Sequence, residues 1–160
     1  MYIPFVALPN SARVWIYQSN KPFETSKLDE LNTLLTNFMN TWNNHGDGLK
    51  SSFLVKYNQF IVIAIDENYK EASGCSIDSS VQVIKKIEKL FNVDLFDKMK
   101  TAFRIDDNIN VVSLVDFQKY VNEDKINSET IVFNNMVNTI EDYKNNWEVK
   151  AINSWHKRYF

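Results

Sequence analysis

The residues best suited to chemistry cluster between positions 45 and 78. In "FIVIAIDENYKEASGCSID", residues 60–78, an apolar run ends in adjacent carboxylates, Asp66 and Glu67, and the turn Ser73-Gly74-Cys75-Ser76 follows within one short loop. Just upstream, "HGDGLK" supplies His45, Asp47 and Lys50. This set could serve a nucleotide site, a thiol nucleophile, or a carboxylate pair acting as cation ligand or acid and base.

The nucleotide reading has three partial matches. "IVIAIDE" has the apolar-run-then-Asp-Glu pattern of a Walker B strand, "GDGLKSS" brings Gly, Lys and Ser together, and "ASGCS" echoes an ABC-type signature. A phosphate loop needs G-x-x-x-x-G-K-[ST] between a strand and a helix, so that backbone N–H groups and the helix N-terminus cradle the phosphates. Here Leu49 separates Gly48 from Lys50, and the segment leaves a helix to enter a strand. No room remains before Asp66 for a crossover helix and a parallel strand. The pattern excludes a P-loop ATPase.

Cys75 lies just before a helix whose positive N-terminal end favours a thiolate. A nucleophilic or redox cysteine also needs a base, for which His45 is the nearby candidate, with Asp47 or Asp78 as a supporting carboxylate. The simpler alternative makes Gly74 a tight turn, Ser76 the helix cap and Cys75 a small buried filler. Asp66 and Glu67, adjacent on a strand, point to opposite faces and make poor partners for one ion. With one cysteine and two distant histidines, His45 and His156, neither a multi-thiolate nor a His-rich site can be built. No metal and no cofactor is assigned.

These residues must be held by strands and helices that the patterning makes legible. "RVWIYQ", Arg13 to Gln18, is β-branched and aromatic and reads as the first strand. Between Ser26 and Asn44, Leu28, Leu31, Leu35, Phe38 and Trp42 recur at steps of three and four, which predicts a helix opened by a Ser26–Asp29 capping box and stopped by Gly46. Its stripe is core packing, and Trp42 belongs to it. "SSFLVKYNQFIVIAIDE" reads as a hairpin turning near Asn58 and Gln59, with Phe60 to Ile65 apolar on both faces and hence central. A second helix is expected from about Ile77 to Phe91, with Lys85, Lys86 and Lys89 outward.

The order strand, helix, strand, strand, helix predicts an α+β fold, a ferredoxin-like split βαβ core with a C-terminal α/β extension. That extension comprises a strand or hairpin in "TAFRIDDNINVVSL", a short helix at "VDFQKYV", a strand at "TIVFNN", a helix opened by Thr139 with Asp142, and an aromatic tail. The tail "SWHKRYF" mixes His156, Lys157 and Arg158 with aromatics and could stack on bases, but pinning to the core is simpler. No repeat or low-complexity linker marks a boundary, and residues 1–160 are read as a single domain.

At 160 residues, 44% hydrophobic and 24% charged, the chain has the makings of a sizeable core. A net charge of -2 and a pI near 5.7 provide no basic field for nucleic acid. No run approaches the ~20 apolar residues of a membrane helix, and the opening lacks the basic start of a leader. A cytoplasmic protein is expected.

From "RVWIYQSN" through "GLKSSFLVKYNQFIVIAIDE" and "ASGCSID" to "TIVFNN" and "NNWEV...SWH", the chain resembles a family of small bacterial proteins often labelled "ABC transporter ATPase". The resemblance implies no established activity and no catalytic residues, and the label names motifs this sequence lacks. What the residues suggest is a binding or interaction module, with a Cys75 enzyme as the alternative. With the first and third strands parallel, Gln18, Ser19 and Asn20 would share one rim with His45, Asp47, Lys50, Asp66, Gly74, Cys75 and Ser76. That mouth would take a protein or a small anionic ligand at the second helix's N-terminus.

Overall fold

A computed structural model describes all residues, 1–160, as an α+β protein. By packing the chain falls into two compact units, Met1–Phe96 with Asn138–Glu141, and Asp97–Val137 with Asp142–Phe160.

The first unit contains β1 (Arg13–Gln18), α1 (Leu28–Thr41), β2 (Asn43–Asn44), β3 (Asp47–Gly48), β4 (Ser51–Lys56), β5 (Phe60–Ile65) and α2 (Gly74–Phe91). Its main sheet has the order β1-β5-β4. All six residues of β5 are fully buried, as befits a strand apolar on both faces and paired on both sides. Ile61, Ile63 and Ile65 lie at every second position and pack with Leu31, Leu35 and Met39 of α1 and Ile84, Ile87 and Phe91 of α2.

The expectation that the first and third strands run parallel is wrong. Arg13 faces Ile65 and Gln18 faces Phe60 in an antiparallel register, and Ser51 also faces Ile65. The reason is connectivity. The β4–β5 hairpin makes those strands oppose each other, and the α1 crossover returns the chain so that β4 runs with β1. A strand inserted between them opposes both. Gln18, Ser19 and Asn20 therefore leave at the end of the sheet away from Asp66. The free side of β1 is covered by the returning stretch, where Arg13 pairs with Thr139, Val14 N–H donates to Asn138 O at 3.0 Å and Ile140 N–H to Ala12 O at 2.9 Å.

Helix boundaries also differ. The Ser26–Asp29 box does not form, because Thr25–Lys27 is a 3-10 turn and α1 begins at Leu28 with no side-chain cap. α1 ends at Thr41, and Trp42 turns extended at ψ 128. Trp42 is still in the core at 2% exposure, but as the residue after the helix rather than on its stripe. The hairpin turns at Tyr57 and Asn58, both left-handed at φ 53 and 52.

The second unit holds β6 (Lys100–Ile105), β7 (Asn108–Ser113), α3 (Leu114–Asn122), β8 (Ile131–Phe133), the end of α4 (Ile140–Asn146) and β9 (Glu148–Lys150). Its antiparallel sheet runs β7-β6-β8-β9. Asp106 and Asp107 make the β6–β7 turn with both φ positive, the type I′ geometry that fits strand twist. Phe103, Phe117, Ile126, Val132 and Ala151 form its core, and 3-10 turns at Ala151–Asn153 and Trp155–Tyr159 close the chain against it. No helix of the protein is long and apolar enough to cross a membrane.

Candidate functional site

The site residues are positioned by a miniature hairpin between α1 and β4. Asn43–Asn44 pairs with Asp47–Gly48 around His45 and Gly46, whose φ angles are 51 and 91. Both turn residues are left-handed, as a type I′ turn demands, and this is what Gly46 is for. It does not terminate α1.

Hydrogen bonds tie this hairpin and the exit of α1 to the first turn of α2 and to the loop before it. The Trp42 indole N–H donates to Ser76 O at 2.8 Å, Ser76 Oγ donates to Asn43 O at 2.9 Å, and Asn44 Nδ2 donates to Glu71 O at 2.9 Å. The cap of α2 is Ser73. Its Oγ accepts Ser76 N–H at 3.1 Å while Ser76 Oγ accepts Ser73 N–H at 3.3 Å, a reciprocal capping box. Ser76, expected to be the cap, is instead its third-residue partner and is buried. The helix consequently starts at Gly74, and Gly74 makes no tight turn.

Starting the helix there places Cys75 in its first turn, where it is exposed. The filler reading of Cys75 is therefore wrong. A cleft of about 330 Å³ lies where the end of α1, the hairpin and α2 meet, lined by Phe38, Thr41, Trp42, Asn43, His45, Cys75 and Ser79. Phe38 and Trp42 pack with ring centroids 5.0 Å apart and planes tilted by 35° to give an aromatic wall, and the rest of the lining is polar. Cys75 and His45 thus share one cavity.

The carboxylates proposed to support them are placed otherwise. Asp47 binds Lys70 Nζ at 2.8 Å, a bond that lowers the pKa of its carboxyl and raises that of the lysine. It lines a second cleft of about 410 Å³ with Gly46, Gly48, Tyr69 and Lys70. Asp78 is exposed on α2 and lines neither cleft. Lys50 holds its ammonium 4.3 Å over the Tyr69 ring, and its segment leads into β4, so no helix terminus follows it to cradle phosphate.

Asp66 and Glu67 turn to different partners. Asp66 Oδ1 accepts Asn68 N–H at 3.1 Å, folding the loop, while Glu67 reaches Arg13 at 3.4 Å. At the opposite end of the sheet, Ser19 is buried with Oγ donating to Lys21 O at 2.5 Å, and Asn20 Oδ1 accepts Asp94 N–H at 2.8 Å. Gln18 is half-buried at the end of β1, facing Phe60. These three take no part in the rim, and of the other members of the single mouth proposed from sequence His45 and Cys75 share one cleft, Asp47 lines the second and Ser76 is buried. Gly48 and Gly74 would meet nothing within 4 Å if given a Cβ, so neither is required for close approach of a ligand.

Sequence reasoning missed Phe38, Thr41, Trp42, Asn43 and Ser79 as cleft lining, Trp42 having been assigned to the core alone. Phe38 and Trp42 were visible as an i, i+4 aromatic pair, but nothing local says that the helix stops between them. Comparison with protein families, curated proteins and solved structures gives no match for this chain.

Proposed function

We propose that the chain is a cytoplasmic binding or interaction module that engages a protein or a small anionic ligand at the rim of its first unit, and that it is not a P-loop ATPase. The observation that carries this reading is the 330 Å³ cleft, with an aromatic wall and a polar lining drawn from three elements. The capping box uses the N–H groups of Ser73 and Ser76, leaving those of Gly74 and Cys75 at the positive end of an 18-residue helix. The order β1-β5-β4, with α1 crossing between two parallel strands and Asn138–Glu141 on the edge a fourth strand would occupy, supports the ferredoxin-like reading of the core. Kinship with the small bacterial proteins labelled ABC transporter ATPases belongs to the same proposal, without the activity their label names.

Two-dimensional NMR with a panel of anions and peptides tests it. Binders should shift the amides of Thr41–Gly48 and Gly74–Ser79 and leave Gln18–Asn20 unmoved. Binders that shift other surfaces only would overturn it.

A second reading, a cysteine-dependent enzyme, is favoured by one observation, the exposed Cys75 sharing its cavity with His45. Thiol labelling across pH separates the two. A rate inflecting well below the ordinary thiol value of about 8.5 and moved by His45→Ala supports the enzyme; an ordinary inflection indifferent to His45 supports the binding module.

A further inference from the structure

The second unit contains a histidine that the rim does not use. His156 is fully buried, with Nε2 at 2.6 Å from Thr101 Oγ1 and Nδ1 at 2.7 Å from Ser154 Oγ. Each ring nitrogen faces one hydroxyl, so the neutral ring donates to one and accepts from the other. Ser154 Oγ also lies 3.2 Å from Ala151 O, to which its hydroxyl can turn, and accepts His156 N–H at 3.2 Å.

A second proton makes both ring nitrogens donors, so it meets the hydrogen of whichever hydroxyl had been donating to the ring. The hydroxyl must rotate and surrender its acceptor, and the new charge is enclosed by Trp155, stacked at 3.7 Å, and Phe117 at 5.5 Å. The groups facing the ring are Thr101 from β6, Phe117 from α3, and Ser154, Trp155 and Arg158 from its own segment. Of these Arg158 is charged, with the same sign as a protonated ring. Elsewhere on β6 and α3, Lys100 pairs with Asp97, Arg104 with Glu148 and Lys119 with Glu123, while Asp116 lies in the first turn of α3. No carboxylate offsets a charge on the imidazole.

We propose that His156 is an acid-operated latch: its neutral ring ties the C-terminal segment Ser154–Phe160 to β6 through Thr101, and protonation releases that segment while the sheet stays folded. Burial, and secondarily Arg158, lower the ring's pKa to about 4. A released ring would titrate near its ordinary value of about 6.5, so the proton is taken up by the open form as pH falls between these values.

The test is amide hydrogen exchange by NMR from pH 7.5 to 3.5, corrected for intrinsic exchange, with the His156 ring resonances followed in parallel. Protection of the Ser154–Phe160 amides should fall on the order of 100-fold between pH 6.5 and 4, while the β6 and β7 amides keep theirs. In His156→Gln the pH dependence of the segment should vanish. Should that variant not fold, the wild-type ring signals decide, since their titration must coincide with the loss of protection. A ring that protonates with the segment still protected, or equal pH dependence in His156→Gln, overturns the latch.

Discussion

At the rim of the first unit, His45 and Cys75 stand in solvent on a tight turn and a helix start. In the core of the second, His156 is packed between hydroxyls and aromatic rings. Both sets combine an imidazole with small polar side chains, yet access divides their roles. The exposed pair is open to solvent and to whatever solvent carries. The buried set has every hydrogen bond made internally, and its response to the surroundings is confined to taking up a proton. A residue type that suggests catalysis is thus only half of an argument; the other half is whether solvent and substrate can reach it.

The substitution that strikes the comparison hardest is Trp42→Ala, because Trp42 is both cleft wall and core. Loss of a buried Trp should cost about 3–5 kcal/mol in denaturant unfolding, with the bond to Ser76 O lost as well. A negligible cost would mean that the rim stands apart from the core. Next is pH. Since burial depresses the folded-state pKa of His156 to about 4, its contribution is complete above about 6.5 and lost as pH falls from there to about 4. The loss is roughly 2–3 kcal/mol, and calorimetry of wild type against His156→Gln would read it. Equal acid sensitivity in both proteins would erase the contrast between the two histidines. Ser73→Ala should cost about 1 kcal/mol by thermal unfolding, sharpening the view that the capping box, not the glycine, sets where Cys75 sits. The smallest effect belongs to Lys50→Ala, about 0.5–1 kcal/mol at most for a cation over an aromatic face. Calorimetric titration should find no μM site for Mg-ATP in either protein; a site that vanished with Lys50 would restore the nucleotide reading.

How far the sequence foretold this arrangement depends on the kind of signal. β5 was legible because six consecutive apolar residues require cover on both faces, and α1 because its leucines repeat at helical spacing. The capping residue was not, since Ser73 and Ser76 stand three apart and a reciprocal box offers either serine as the cap. Gly46 was misread because a glycine soon after a helical stripe looks like a terminator, while the same backbone freedom serves a type I′ turn. The direction of β1 relative to β5 is a property of the crossover, written in no single segment, and it moved Gln18, Ser19 and Asn20 to the far end. The cleft lining depended on where α1 stops, and His156 on contacts with Thr101 far along the chain.

The covering of β1 by Asn138–Glu141 has a consequence for synthesis. During translation the hairpin, both helices and the three-stranded sheet leave the ribosome long before Thr139 does. Until then the outer edge of β1 presents unpaired N–H and C=O groups, and a nascent chain in that state can recruit a strand from a neighbour. Slow translation between residues 96 and 138 would lengthen that exposure, and aggregation of truncated chains should fall sharply once the segment that seals the edge has emerged.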